Sequence, residues 1–170
     1  MKKPTVLIAG IGNELRQDDA FGMEFVKQYA NEKIPEWVKI MEVGIGGIHL
    51  VQELHSGYDI LIMVDAVDWG NKPGKVEFQE VESISDITEM PVFEKRTFLA
   101  DMHYTNPTRA LMLAKALNVL PEKVFILGCQ SAQHDDFAIG MSKPVIAAIP
   151  KAVCLLQEWL ASTQLEVIKK

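Results

Sequence analysis

Cysteine is scarce in this chain. There are two, Cys129 and Cys154, and they form no C-x-x-C pair. Both stand among apolar neighbours, so a disulfide framework is not expected, and a reducing cytoplasm is the simplest compartment. Positive charge is also short: 17 Lys and Arg face 23 Asp and Glu, for a net charge of −6 and a sequence pI of about 5.2. No basic stripe overrides that balance. Such a surface repels phosphates, which argues against nucleic acid and anionic membranes as partners. No stretch reads as long and apolar enough to cross a bilayer. The run after Met1-Lys2-Lys3 ends in a glycine turn too early for a signal peptide, so it reads as a buried strand. The sequence contains no G-x-S-x-G and no H-E-x-x-H, and neither cysteine has a histidine beside it in sequence. The common serine, cysteine and zincin protease signals are therefore missing, as are internal repeats, low-complexity tracts and linkers.

What is present is the composition of an ordinary globular domain, with 48% hydrophobic and 24% charged residues over 170 positions. One domain, 1–170, is expected, burying roughly 70% of the surface of its unfolded chain. Thr5 to Ala9 reads as a central strand closed by Gly10-Ile11-Gly12-Asn13. From Asp19 to Asn31 the period turns helical, with Phe21, Phe25, Val26 and Tyr29 on one face and Asp18 or Asp19 placed to cap it. Val38–Val43, Ile60–Val64 and Val124–Cys129 read as further strands, and Lys75–Val81 as one nearer an edge. Ile48–Leu54 and Pro107–Asn118 read as helices, as does Pro144 to about Leu160 with a kink at Pro150. Residues 83–100 and 131–141 read as loops. Alternating strands and helices predict an α/β fold: one three-layer domain, a twisted, mostly parallel sheet with helices on both faces.

In an open parallel sheet, ligands gather at the carboxyl ends of the strands. The polar residues there are Asn13, Asp18 and Asp19 after the first strand, Asp65 and Asp68 after the third, and Gln130 and Ser131 after the fifth. A dinucleotide fingerprint fails, because Leu15 stands where G-x-G-x-x-G needs glycine and two aspartates crowd the helix start. Asp18 and Asp19 have a structural reading as cap and solvated neighbour. Asp65, directly after Ile-Leu-Ile-Met-Val, sits at the mouth of the sheet, where it caps a turn or does chemistry. Of the four histidines, His49 and His55 fall on a surface helix, His134 lies in a polar loop, and His103 precedes the mid-chain helix. If Asp19, Asp65 and His103 converge, two carboxylates and an imidazole make a mixed oxygen and nitrogen site suited to zinc, nickel or a similar divalent ion.

The segment Val6-Leu7-Ile8-Ala9-Gly10-Ile11-Gly12-Asn13-Glu14-Leu15-Arg16-Gln17-Asp18-Asp19-Ala20-Phe21-Gly22 resembles the opening signature of the NiFe-hydrogenase maturation endopeptidases. Ile62-Met63-Val64-Asp65-Ala66-Val67 is similar to that family's strand ending in Asp-Ala. His103 matches its histidine ahead of the long helix, and Gly140-Met141-Ser142-Lys143-Pro144-Val145 matches the start of its last helix. The likeness runs in order along nearly the whole chain. It implies removal of a short C-terminal extension from a NiFe-hydrogenase large-subunit precursor after nickel insertion. It places the metal-binding residues on Asp19, Asp65 and His103. Two departures bear on the substrate subclass: Glu42-Val43-Gly44-Ile45-Gly46-Gly47 lacks the family's aspartate and threonine, and Asp101-Met102-His103-Tyr104 lacks its serine.

With no serine or cysteine signature, water is the expected nucleophile. Asp19, Asp65 and His103 then either hold a metal, such as zinc, or recognise nickel already seated in the substrate. Asp18 is a candidate neighbouring base, and Asn13 or the glycine-loop amides are candidate oxyanion donors. The partner implied is the nickel-loaded large-subunit precursor, met by a monomer that docks transiently. A non-catalytic nickel-dependent chaperone for the same subunit needs the same three residues, and a nucleotide-binding module would need only the glycine turn.

Overall fold

The computed structural model describes residues 4–100, 107–132 and 137–169. Five strands form one sheet in the order β2-β1-β3-β5-β4: β1 (Val6–Ile11), β2 (Val38–Gly44), β3 (Ile60–Val67), β4 (Val76–Glu80) and β5 (Lys123–Gln130). β4 alone runs antiparallel, paired to β5 at the sheet edge. The helices are α1 (Phe21–Tyr29), α2 (Gly47–Leu54), α3 (Val92–Ala100), α4 (Pro107–Ala116), α5 (Lys143–Ile146) and α6 (Ile149–Lys169).

β1 is buried along its whole length because both of its faces are covered. Its alternating side chains feed two cores. Val6 and Ile8 join Phe21, Phe25, Ile62, Leu127, Ile149 and Leu156 beneath α1 and α6. Leu7 and Ala9 join Leu50, Leu54, Leu61, Met63, Leu111 and Val124 beneath α2 and α4. Fully burying a side chain such as Ile62 contributes roughly 1.5–3 kcal/mol, so the two faces together hold the three layers in place. The helical face expected for α1 is the one that is buried.

The order β2-β1-β3 places a switch point between β1 and β3, where successive connections leave to opposite sides. β1 pairs β3 only as far as Gly10–Val64, whereas β3 continues beside β5 through Asp65–Gly128 to Val67–Gln130. Asp65 is therefore inside the strand, whereas the sequence pattern places it just past the strand's end. It is the first residue past the point where β1 turns away.

Several boundaries differ from expectation for local reasons. Residues 83–100 are not all loop: Ile87–Glu89 forms a 3₁₀ turn, capped by the Asp86 carboxylate on the Thr88 N–H at 2.8 Å, and α3 follows. The apolar residues of α3 fall on no single stripe, with Val92 and Phe93 exposed and Phe98 buried, which hides it from a periodicity reading. The C-terminal helix is two helices. α5 stops at Ile146, and Pro150 sits in the first turn of α6, where its missing N–H is harmless, so it opens a helix rather than kinking one. Among the described residues one stretch, Lys143–Thr163, is long and apolar enough by composition to cross a membrane. This differs from the reading of the sequence, but Val145, Ala148, Ile149, Ala152, Leu156 and Leu160 within it are buried in the sheet's core.

Candidate active site

The loop after β1 is built to hold two adjacent aspartates at the switch point. Gly12 has φ +132, and a Cβ there would lie 1.8 Å from the Asp19 carbonyl oxygen, so only glycine fits. The Asn13 N–H donates to both the Asp19 carbonyl and its Oδ2, each at 3.1 Å, and the Asn13 Oδ1 accepts from the Leu15 N–H at 3.0 Å. A 3₁₀ turn over Gln17–Ala20 then leads into α1. Neither aspartate caps a helix through its side chain, contrary to expectation. α1 comes close enough to press this turn on β3 because Gly22 has no side chain: a Cβ would meet the Val64 oxygen at 2.1 Å and the Ile11 oxygen at 2.2 Å.

The two aspartates have separate fates. Asp18 is fully enclosed. Its carboxylate accepts from the Ala132 N–H at 2.8 Å, the Ser142 N–H at 2.6 Å and the Ser142 hydroxyl at 3.0 Å. It is thus a clasp that closes the chain after β5 onto the chain after β1, and it is not exposed as a general base. Asn13 is likewise a positioning group: its backbone N–H is already committed to Asp19. That commitment removes this amide from oxyanion binding. Gln130, buried at the end of β5, spends its whole amide on the neighbouring loop. Its Oε1 accepts from the Trp69 and Asn71 N–H groups, and its Nε2 donates to the Asp68 carboxylate and the Ser131 carbonyl.

Asp19 and Asp65 face a different situation. Both are half-buried. The Asp65 Oδ1 is enclosed and has no hydrogen-bond partner among the described residues. Burial first, and then the charge of Asp19, push the Asp65 carboxyl up to about 7, against a smaller opposing pull from the Ala66 amide. A buried carboxyl raised by its own burial and by the charge of Asp19, with one oxygen unsatisfied among the described residues, is suited to a cation. The donor chemistry fits a divalent metal, and an imidazole added to it would give a borderline site. His103, with Asp101 to Asn106, lies outside the described residues, as do His134, Asp135 and Asp136. Among the described residues no three His, Cys, Asp or Glu side chains form a metal cluster. Of the expected trio, the geometry brings together Asp19 and Asp65.

Neither cysteine belongs to this site as a nucleophile. Cys129 is buried in β5, and desolvation followed by the charge of Asp18 pushes its thiol up to about 12. Cys154 is exposed on α6. His49 and His55 are exposed on and just after α2, as expected. Nothing local in the sequence marks a role for Ser142 beyond the helix start, or for Gln130 beyond a polar strand end. The signal was present in one case, since a serine two residues before Pro144 marks a helix start. Its hydroxyl, however, turns to Asp18 instead of capping α5.

Comparison with known proteins supplies the identity of this arrangement. The family profile described as hydrogenase maturation protease matches residues 23–159. The hydrogenase expression/formation protein HoxM of Azotobacter vinelandii is 33% identical over 163 residues, covering 95% of this chain and 74% of its own. The crystal structure of a hydrogenase 2 maturation peptidase from a Thaumarchaeota archaeon is 30% identical, with a TM-score of 0.65 over 92% of this chain and 97% of that one. The hydrogenase maturating endopeptidase HybD from E. coli shares the fold with a TM-score of 0.71 at 22% identity, over 94% and 93% of the two chains. The chain belongs to the hydrogenase maturation protease family.

Proposed function

We propose that this enzyme removes the C-terminal extension of a NiFe-hydrogenase large-subunit precursor after nickel has been inserted, and that Asp19, Asp65 and His103 recognise that nickel. The observation that carries the reading is the enclosed Asp65 Oδ1, without a partner among the described residues, beside Asp19 at the switch point of the sheet. A carboxylate kept in that state binds a cation better than it binds water, because the cation satisfies the oxygen and relieves the repulsion with Asp19. Nickel arrives as part of the substrate, so binding it at Asp19 and Asp65 makes cleavage depend on successful insertion. The Asn13 N–H holds the Asp19 carboxylate in place, and the Asp18 clasp fixes the loop behind it. Water is the nucleophile in this scheme. A divalent cation at the acid pair polarises a nearby carbonyl and makes neighbouring water more acidic. The enzyme works as a cytoplasmic monomer that engages its partner transiently.

The test is the intact mass of the nickel-loaded precursor before and after incubation with the enzyme. The expected result is loss of one defined C-terminal peptide, abolished by Asp19→Ala, Asp65→Ala and His103→Ala. An unchanged mass with a verified, nickel-loaded precursor contradicts the reading and favours a nickel-dependent docking protein.

A further inference from the structure

Four bulky apolar side chains stand in solvent on the loops after β1, β2 and β5, at the sheet edge that carries the acid pair: Leu15 at 57% exposure, Ile45 at 59%, Phe137 at 84% and Ile139 at 86%. They come from three separate loops, and hydrogen bonds tie those loops together. The Gly12 N–H reaches the Gly44 carbonyl at 3.2 Å, which joins the turn after β1 to the one carrying Ile45. Arg16 and Ala138 form an isolated β-bridge, and the Gln17 N–H reaches the Ala138 carbonyl at 2.9 Å, which joins Leu15 to Phe137 and Ile139. Phe137 and Ile139 flank the bridged residue two positions apart, so they share a face. The Asp18 clasp anchors both ends of the segment that carries them, at Ala132 and Ser142.

Scattered single apolar residues need no explanation, but a set on bonded loops at the edge that carries an acidic site does. We infer that Leu15, Ile45, Phe137 and Ile139 form a docking collar that is covered by an apolar surface of the polypeptide substrate while Asp19 and Asp65 receive its metal. This rests on the reading proposed above. The occupant follows from the family and the topology: a hydrogenase maturation protease acts on a polypeptide, and the loops that carry these side chains are bonded to the turn that leads to Asp19. The division of labour follows from chemistry. The collar supplies non-directional affinity through apolar burial, and the acids supply selectivity for a loaded cation.

The test measures affinity and turnover separately, using the nickel-loaded large-subunit precursor as the probe. Binding of immobilised precursor and steady-state cleavage are compared for wild type, for the Leu15→Ser/Ile45→Ser/Phe137→Ser/Ile139→Ser variant, and for Leu117→Ser. Leu117 is 48% exposed but follows α4 at the opposite, amino edge of the sheet, so it is the control. Because all the changed residues are exposed, folding is checked by thermal melting. The collar variant is expected to weaken Kd and raise KM by at least about tenfold, with kcat at saturation unchanged, while Leu117→Ser matches wild type. Wild type that binds precursor in a collar-dependent way without cutting it keeps the docking surface and removes the endopeptidase reading. The inference is overturned if the collar variant binds within about twofold of wild type, if Leu117→Ser is equally impaired, or if wild type does not bind. It is also overturned if sedimentation shows a wild-type dimer that the collar variant dissociates, since the occupant is then a second copy of the chain.

Discussion

Replacing Asp65 with asparagine keeps the shape of the side chain and removes its charge. In the folded protein burial and Asp19 hold this carboxyl at about 7, against an ordinary value of 3.8. A gap of about three pH units corresponds to roughly 4 kcal/mol between the two protonation states. The folded value lies above the unfolded one, so the associated stability is fully present below pH 3.8 and is lost as pH rises through about 7. Roughly 2.5 kcal/mol of it falls between pH 5 and pH 8 by the same linkage. Asp65 is only half-buried, and solvent screening reduces the expected difference to about 1–2 kcal/mol. The assay is urea unfolding of the metal-free enzyme at both pH values, for wild type and Asp65→Asn. Wild type is expected to lose about 1–2 kcal/mol more than the variant on going from pH 5 to pH 8. Equal pH dependence in the two proteins would refute the claim that this carboxylate is held unsatisfied beside Asp19.

Other expectations concern the framework around the site. Asp18→Ala leaves the Ala132 N–H, the Ser142 N–H and the Ser142 hydroxyl without their acceptor. Ala132 is exposed and Ser142 only part-buried, so water can replace the lost acceptor; at about 0.5–1.5 kcal/mol net per hydrogen bond, chemical denaturation should show a loss of about 2 kcal/mol, and a loss under about 0.5 kcal/mol would contradict the clasp. Gly22→Ala drives a methyl into the Val64 and Ile11 carbonyl oxygens, so a melting curve should register roughly 2 kcal/mol or more of destabilisation. A thiol reagent at pH 8 should label one cysteine in the native protein, the exposed Cys154, and two after unfolding, because Cys129 is buried and held up at about 12. Rapid native labelling of both would show that β5 is less protected than its burial implies.

Much of this architecture is legible in the sequence because its signals are local. β-branched runs bounded by glycine turns give β1 and β3, and the spacing of Phe21, Phe25, Val26 and Tyr29 gives α1. Asp65 stands out because a carboxylate rarely follows five apolar residues without a reason. What stays hidden depends on distant partners. Asp18 and Asp19 are adjacent and chemically identical, and one becomes a buried clasp only because groups 114 and 124 positions away reach it. The docking collar has the same character: Leu15, Ile45, Phe137 and Ile139 form no pattern along the chain, and it is the bonds between their loops that link them. α3 was hidden for a different reason, since its apolar residues point both ways.

The most direct measurement of the central claim compares two forms of one substrate. Precursor large subunit is prepared with and without nickel, incubated with the enzyme under identical conditions, and followed by intact mass, with the metal content of the enzyme determined in parallel. The account predicts loss of the C-terminal peptide from the nickel-loaded form only, by an enzyme that carries substoichiometric metal at rest. Equal cleavage of the nickel-free form, or one firmly held metal ion per enzyme chain, would contradict the claim that the acid pair of Asp19 and Asp65 is reserved for the substrate's nickel.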